Sequence, residues 1–295
     1  MSRRDYEIWD VFTDRRFAGN PLAVVMDAQG LDAAQMQRLA REFNLSESTF
    51  VLPPDDPAND ARVRIFTPAY EMPFAGHPTV GTAIAIARAR NLSGELRLEL
   101  NAGVFPVRVD VAGEAAHAQF QNPNLPAEHG PAPSAELIEG ALSLPRGALD
   151  REAHQPRRIG AGVDLIYARA SLDEVREARI NSAAWEKLQL DRIVGVFLYA
   201  EGGEGADAAY HARMFAPDAG VSEDPATGSA AAAFPGQIAL AQELADGTHC
   251  WIVEQGFEMG RPSRIEVEVE ASSGVVRAVR VGGSAAPVAS GQISV

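Results

Sequence analysis

The sequence predicts a mixed α+β chain built from two similar halves, with strands outnumbering helices. Three observations lead there. Residues 77–83 read His-Pro-Thr-Val-Gly-Thr-Ala and residues 224–230 read Asp-Pro-Ala-Thr-Gly-Ser-Ala, 147 positions apart in a chain of 295. Each copy follows a similar lead-in, Arg64-Ile-Phe-Thr-Pro68 before the first and Arg213-Met-Phe-Ala-Pro217 before the second. Two copies with their lead-ins, half a chain length apart, point to a duplicated domain with its site between the halves. The strand-like segments also cluster without the regular βαβ alternation of a doubly wound sheet.

Taken in order, residues 5–12 and 22–26 read as strands joined by Phe17-Ala-Gly-Asn-Pro21, whose Gly-Asn-Pro is turn chemistry. Leu31, Met36, Leu39, Ala40 and Phe43 recur at near-helical spacing over 31–43. The chain re-extends over 49–52, and 62–66 is a strand. Residues 78–89 form a helix with Pro78 at its first position and small residues throughout (Gly81, Ala83, Ala85, Ala87). Such a helix lets neighbouring backbone approach on nearly every side, so it is expected to lie buried within curved sheet. Strands at 96–100, 104–111 and 115–121 complete the first half.

Residues 121–133 hold four prolines and read as the linker. The second half repeats the plan, with strands at 163–169 and 192–200 and a helical stretch at 172–189 between them. A strand at 209–215 leads into the second motif and its helix from Pro225. Phe234-Pro235-Gly236 is expected to stop or kink that helix early. Residues 203–208 read as a lengthened, flexible loop. Strands follow at 251–255, 265–269, 275–281 and 293–295. The expected division is residues 1–121 and 122–284, with a strand near 285–295 returning to the first half.

Composition narrows the function. Hydrophobic residues make up 46% and charged residues 22%, the balance of a soluble globular protein. A net charge of −14 argues against nucleic acid or an anionic membrane as partner, since both need a basic face. No apolar run reaches membrane-spanning length. Arg3-Arg4 is followed by Asp5, Glu7 and Asp10 rather than the apolar stretch of an export signal. Cys250 is the sole cysteine, read as a small core or strand residue. The expectation is a reducing, cytoplasmic setting. Six histidines show no metal spacing, so no metal is expected.

The candidate site residues come from the motifs. Asp224, directly before Pro-Ala-Thr, reads either as a helix N-cap or as a catalytic group. Histidine is a poor N-cap, so His77 at the matching position needs another reason. The pair is expected at the starts of equivalent helices, where free N–H groups and the positive dipole end favour a carboxylate or a developing enolate. Gly76, Gly81 and Gly228 permit close backbone approach. Glu47, in Asn44-Leu-Ser-Glu-Ser-Thr49, reads either as a solvated loop acid or as a general base in an apolar setting. Ser229 and Thr82 are ordinary first-turn residues or hydrogen-bond donors to substrate.

At this point the chain resembles the PhzF family, the phenazine-biosynthesis isomerase-like proteins. The carriers are Asp10-Val-Phe-Thr13, Phe17-Ala-Gly-Asn-Pro-Leu-Ala-Val-Val25, Asn44-Leu-Ser-Glu-Ser-Thr-Phe50 and 66–81, which ends Phe74-Ala-Gly-His-Pro-Thr-Val-Gly81. Further on come Glu223-Asp-Pro-Ala-Thr-Gly-Ser-Ala230, Gln255-Gly-Phe-Glu-Met-Gly-Arg-Pro-Ser263 and Val281-Gly-Gly283. The resemblance implies a diaminopimelate epimerase-like fold: two pseudo-symmetric lobes, each a β-barrel-like sheet around a central helix. It also implies homodimers, no cofactor, and Glu47 as the acid/base residue. His77 and Asp224 match the family's other catalytic positions. Ser229, Thr227 and the backbone around Gly76 and Gly228 match its substrate-binding positions. Racemases of the wider superfamily use two cysteines in the corresponding motifs, and here those motifs hold none.

The resulting expectation is a cofactor-independent isomerase of a small carboxylate, of the dihydro-3-hydroxyanthranilate isomerase type. The alternatives are a binding or regulatory protein that keeps the cleft without turnover, and a thiol-independent epimerase using Glu47 and Asp224.

Overall fold

The structure, a computed structural model, describes residues 3–112 and 116–295. Contacts divide the chain into two compact units, Met1–Gln121 with Gly282–Val295, and Asn122–Val281. No helix among the described residues is long and apolar enough to cross a membrane.

The first unit holds β1 (Arg3–Val11), β2 (Asn20–Val25), α1 (Ala33–Phe43), β3 (Glu47–Leu52), β4 (Ala61–Phe66), β5 (Glu71–Met72), α2 (Gly76–Arg90), β6 (Gly94–Leu100), β7 (Gly103–Asp110) and β8 (Ala116–Gln121). Residue 115, the expected start of the last of these, lies outside the described residues. Pairing runs antiparallel β1–β2, parallel β2–β3, antiparallel β3–β4, parallel β4–β6, then antiparallel β6–β7 and β7–β8. The C-terminal strand, Val275–Ser294, pairs with β8 and, antiparallel, with β1. Eight strands thus close into a barrel, which leaves no unpaired edge among them. The two strands expected at 275–281 and 293–295 are one.

Local chemistry explains the helices. Asp32 and Gln35 form a reciprocal capping box at the start of α1, Met36, Leu39 and Ala40 face the core, and Asn44 ends the helix in the left-handed region (φ 51°). α2 fills the barrel: every residue from Gly76 to Ala87 is buried, and the helix touches β1, β2, β3, β6, β7 and β8. It starts two residues before the expected position, so Pro78 is its third residue rather than its first. The first turn tolerates this because its N–H groups have no acceptor within the helix.

Gly81 shows how tight the fit is. A Cβ there would lie 2.6 Å from Val11 Cγ2 and 2.7 Å from Leu22 Cδ2. Gly→Ala in a helix ordinarily stabilises by about 1 kcal/mol. Here the overpacking dominates, and Gly81→Ala is expected to destabilise by about 1–3 kcal/mol. A higher urea midpoint for the variant would show that β1 and β2 yield freely.

The second unit repeats the order. It holds β9 (Ala127–Glu128), α3 (Ala135–Ala141), β10 (Arg157–Gly160), β11 (Asp164–Arg169), α4 (Leu172–Glu177), α5 (Ser182–Trp185), β12 (Ile193–Glu201), β13 (Tyr210–Ala216), β14 (Val221–Asp224), α6 (Gly228–Ala241), β15 (Gly247–Gln255) and β16 (Ser263–Ser272). Pairing runs antiparallel β10–β11, parallel β11–β12, antiparallel β12–β13, parallel β13–β15 and antiparallel β15–β16. This is the alternation from β1 to β7. The short β5 beside β4 is matched by β14 beside β13. β9 and α3 lie in and after the stretch expected to be linker, and β9 pairs with β10.

Five local expectations change. The helical stretch at 172–189 is broken: Arg179 and Asn181 give their N–H groups to Leu142 and Ala141 carbonyls, and the Asn181 side chain caps α5. α6 begins at Gly228, with Thr227 at the N-cap position, not at Pro225. It then runs through Pro235 to Ala241. Tertiary packing overrides the proline. Phe234 packs against Tyr199, Tyr210 and Trp251 with ring centroids 4.8–6.4 Å away, and the Tyr167 hydroxyl donates to the Ala230 carbonyl at 2.8 Å. The 203–208 loop is tied down, with the Glu204 and Gly205 N–H groups donating to the buried Glu254 carboxylate at 2.8 and 2.9 Å. Cys250 lies on β15 as expected for a strand residue, but it is exposed rather than in the core.

Candidate functional site

In the first unit, two of the expected residues meet. The chain leaves α1 through left-handed Asn44, and Glu47 opens β3 opposite Leu22 of β2. Just before it, the Ser46 hydroxyl donates to Asn20 Oδ1 at 3.0 Å, joining the starts of β2 and β3. His77 is the second residue of α2 and is buried. Its Nδ1 lies 3.6 Å from Glu47 Oε2. His77 Nε2 is buried without a hydrogen-bond partner, as is the Ser48 hydroxyl. Thr82, one turn further along α2, donates to the Thr49 hydroxyl at 2.8 Å and so serves packing within the barrel.

Burial pushes the His77 pKa down to about 3. The ring is therefore neutral at physiological pH, with one nitrogen a donor and the other an acceptor. This has a sign for stability. The folded-state value lies below the unfolded value of about 6.5. Between the two, the unfolded chain binds the extra proton. Stability is full above about pH 6.5 and declines as pH falls toward 3, by about 1.4 kcal/mol per pH unit for one proton. His77→Gln is expected to make that limb of a urea-midpoint profile shallower by one proton. An unchanged slope would assign the proton to another group.

In the second unit, Asp224 is the last residue of β14, and α6 starts four residues later. It is therefore not the N-cap, and the two motifs differ: His77 lies inside its helix, Asp224 ahead of its own. Thr227 donates its hydroxyl hydrogen to Asp224 Oδ2. Gln255, at the end of β15, donates from Nε2 to the Asp224 carbonyl at 2.6 Å and to Thr227 Oγ1 at 3.0 Å, while its Oε1 accepts from the Thr227 N–H at 3.2 Å. Gly228 and Ser229 are the first two residues of α6, as Gly76 is the first of α2. N–H groups at such positions have no acceptor within the helix and suit an anion.

The lead-in arginines serve a role that the sequence did not reveal. Arg64 binds Glu71 through Nε and Nη2 at 2.7 and 2.6 Å, and Arg213 binds Glu223 in the same way at 2.8 Å for both. Glu71 stands opposite Phe66, and Glu223 opposite Phe215. Each guanidinium also lies over that phenylalanine, at 5.1 and 4.8 Å. The duplicated lead-in is thus an ion-pair staple that fixes the short strand before each motif. The hydrogen bond from Arg64 and its charge hold the Glu71 carboxyl below the usual range. A bidentate Arg–carboxylate pair has fixed geometry, which suits this use. Among the described residues no cluster of three His, Cys, Asp or Glu could hold a metal ion.

A sequence model of the phenazine biosynthesis-like protein family (PhzC-PhzF) matches residues 9–291. An uncharacterized isomerase of Mesorhizobium japonicum is 43% identical over 300 residues, covering 99% of both chains. The trans-2,3-dihydro-3-hydroxyanthranilate isomerase of Pseudomonas aeruginosa is 38% identical, covering 97% of this chain and 98% of its own. Among solved structures, the phenazine biosynthesis protein of the PhzF family from Bacillus anthracis matches with a TM-score of 0.90 at 27% identity, covering all of both chains.

Proposed function

The chain belongs to the PhzC-PhzF phenazine biosynthesis-like family of isomerases, and from that premise we propose a cofactor-independent proton shift on a small carboxylate, with trans-2,3-dihydro-3-hydroxyanthranilate as the substrate to test. The observation that carries the reading is the Glu47 carboxylate 3.6 Å from a buried His77 whose other ring nitrogen lacks a protein partner. An uncharged imidazole adds no positive charge beside that carboxylate, to which this reading gives the role of base.

Glu47 takes a proton from carbon, and that C–H electron pair enters the conjugated system. A C–H bond then forms at another carbon, the double bond migrates, and Glu47 is restored. No net oxidation occurs. His77 hydrogen-bonds the substrate as a neutral ring, and Asp224 supplies the further proton-relay group. Ser229 and the backbone at Gly76 and Gly228 bind the carboxylate, while Thr227 gives its N–H to Gln255 and its hydroxyl hydrogen to Asp224.

The test is NMR of trans-2,3-dihydro-3-hydroxyanthranilate with the protein in D₂O. Migration of a double bond, with deuterium at the newly protonated carbon to the extent that the carried proton exchanges, is expected. If the substrate is left unchanged, this substrate assignment fails.

A further inference from the structure

We propose that Gln255 is a positioning residue that orients Asp224 through the Thr227 hydroxyl. The inference rests on the proposed role of Asp224 and extends it to Gln255, which has no assigned role in that reaction, and to the Thr227 hydroxyl.

Gln255 is fully buried, and both ends of its amide are committed to backbone. Oε1 accepts from the Thr227 N–H, and Nε2 donates to the Asp224 carbonyl. Those two contacts settle which end is oxygen and which is nitrogen, since a flipped amide would set donor against donor and acceptor against acceptor. Nε2 therefore also donates to Thr227 Oγ1. A threonine hydroxyl has one hydrogen. With Oγ1 accepting from Gln255, that hydrogen points at Asp224 Oδ2, the contact the structure shows. The relay runs one way, amide to hydroxyl to carboxylate.

The backbone around it is held just as closely. Gly256 follows at φ +77°, and a Cβ there would lie 2.6 Å from the Pro225 carbonyl oxygen and 2.5 Å from that of Arg261. The turn at 255–256 thus packs directly on the Asp224-Pro225 segment. A residue that only filled space at position 255 would need none of this polarity.

The test compares wild type, Gln255→Met, Thr227→Val, Thr227→Ser and the Gln255→Met/Thr227→Val double variant on trans-2,3-dihydro-3-hydroxyanthranilate. The second readout is the carboxyl ¹³C resonance of Asp224, assigned by its loss in Asp224→Asn. Gln255→Met and Thr227→Val are each expected to lower kcat by about 10- to 100-fold, with KM within about threefold, because a misaligned group costs rate more than binding. The double variant should be no worse than the poorer single one. Thr227→Ser should keep at least about tenfold more activity than Thr227→Val. The Asp224 resonance should move in the same direction in both single variants.

Losses that multiply in the double variant, or an unmoved Asp224 resonance in folded Gln255→Met, would overturn the proposal. If the wild type does not turn over this substrate, the substrate assignment falls but the resonance still decides the positioning role. Should Gln255→Met not fold, Gln255→Glu replaces it. Its carboxylate cannot donate to Thr227, so the same shift and loss are expected.

Discussion

Replacing Glu47 by Gln is expected to lower kcat on trans-2,3-dihydro-3-hydroxyanthranilate by about 10²- to 10⁴-fold, the usual worth of a positioned general base. The amide keeps the shape of the carboxylate at the start of β3 but cannot take a proton from carbon. KM should change little, because the reading gives carboxylate binding to Ser229 and the helix starts. His77 cannot replace the base. A ring whose pKa is pushed down to about 3 is a poor proton acceptor at neutral pH. In D₂O the variant should therefore show neither migration of the double bond nor incorporation of solvent deuterium in the time the wild type needs to complete the reaction. Thermal unfolding close to wild type would confirm an intact barrel. Full turnover by Glu47→Gln would place the base elsewhere and end the mechanism as written.

The second large effect is on stability. Arg213 is 4% exposed, and all three of its guanidinium nitrogens have partners. Nε and Nη2 hold Glu223, while Nη1 donates to the carbonyls of Val175, Arg176 and Ala178 at 3.1, 3.1 and 2.8 Å. One side chain thus ties β13 to β14 and to the end of α4. Arg213→Ala strands a largely buried carboxylate and leaves three carbonyls without their donor. The expected cost is about 3–5 kcal/mol, a fall in Tm on the order of 10 °C. Arg213→Lys should recover little, since one ammonium cannot reproduce a planar fork of five donors. The partner staple in the first unit is more exposed, with Arg64 and Glu71 side chains at 19% and 25%. Breaking it should cost less, because solvent screens and re-solvates both groups. Equal losses for Arg64→Ala and Arg213→Ala in calorimetry would contradict this account.

Much of the plan was legible because it is local. Alternating and apolar runs marked most strands, and Leu31 to Phe43 marked α1. The small residues of α2 announced a helix buried on every side, and its Gly76–Ala87 stretch is buried throughout. The repeated motif and lead-in showed the duplication, which the strand pairings of the two units repeat. Glu47 and His77 stand out as candidates from their motifs alone.

Where the structure departs from local preference, the cause is tertiary. Local preference makes Pro78 a first helical residue and Pro235 a breaker. The first lies two residues deeper because first-turn N–H groups need no helical acceptor. The second is carried through by the aromatic rings around Phe234 and by Tyr167 on the Ala230 carbonyl. Of the two roles open to Asp224, helix cap or catalytic group, local preference cannot choose; Thr227 holds the cap position and Asp224 accepts from it. Residues 203–208 looked flexible from Gly-Glu-Gly-Ala, but Glu254, about fifty positions on, gathers their N–H groups.

The amino-acid sequence alone determined the α+β class, the two-fold repeat, the core helices and the residue types offered to the site. These follow from backbone preference and from apolar periodicity, which act over a few residues. The tertiary structure decided the neutral state of His77, its distance from Glu47, the two arginine staples and the relay from Gln255 to Asp224. Each depends on burial or on partners brought together from distant positions, and no short-range preference encodes that.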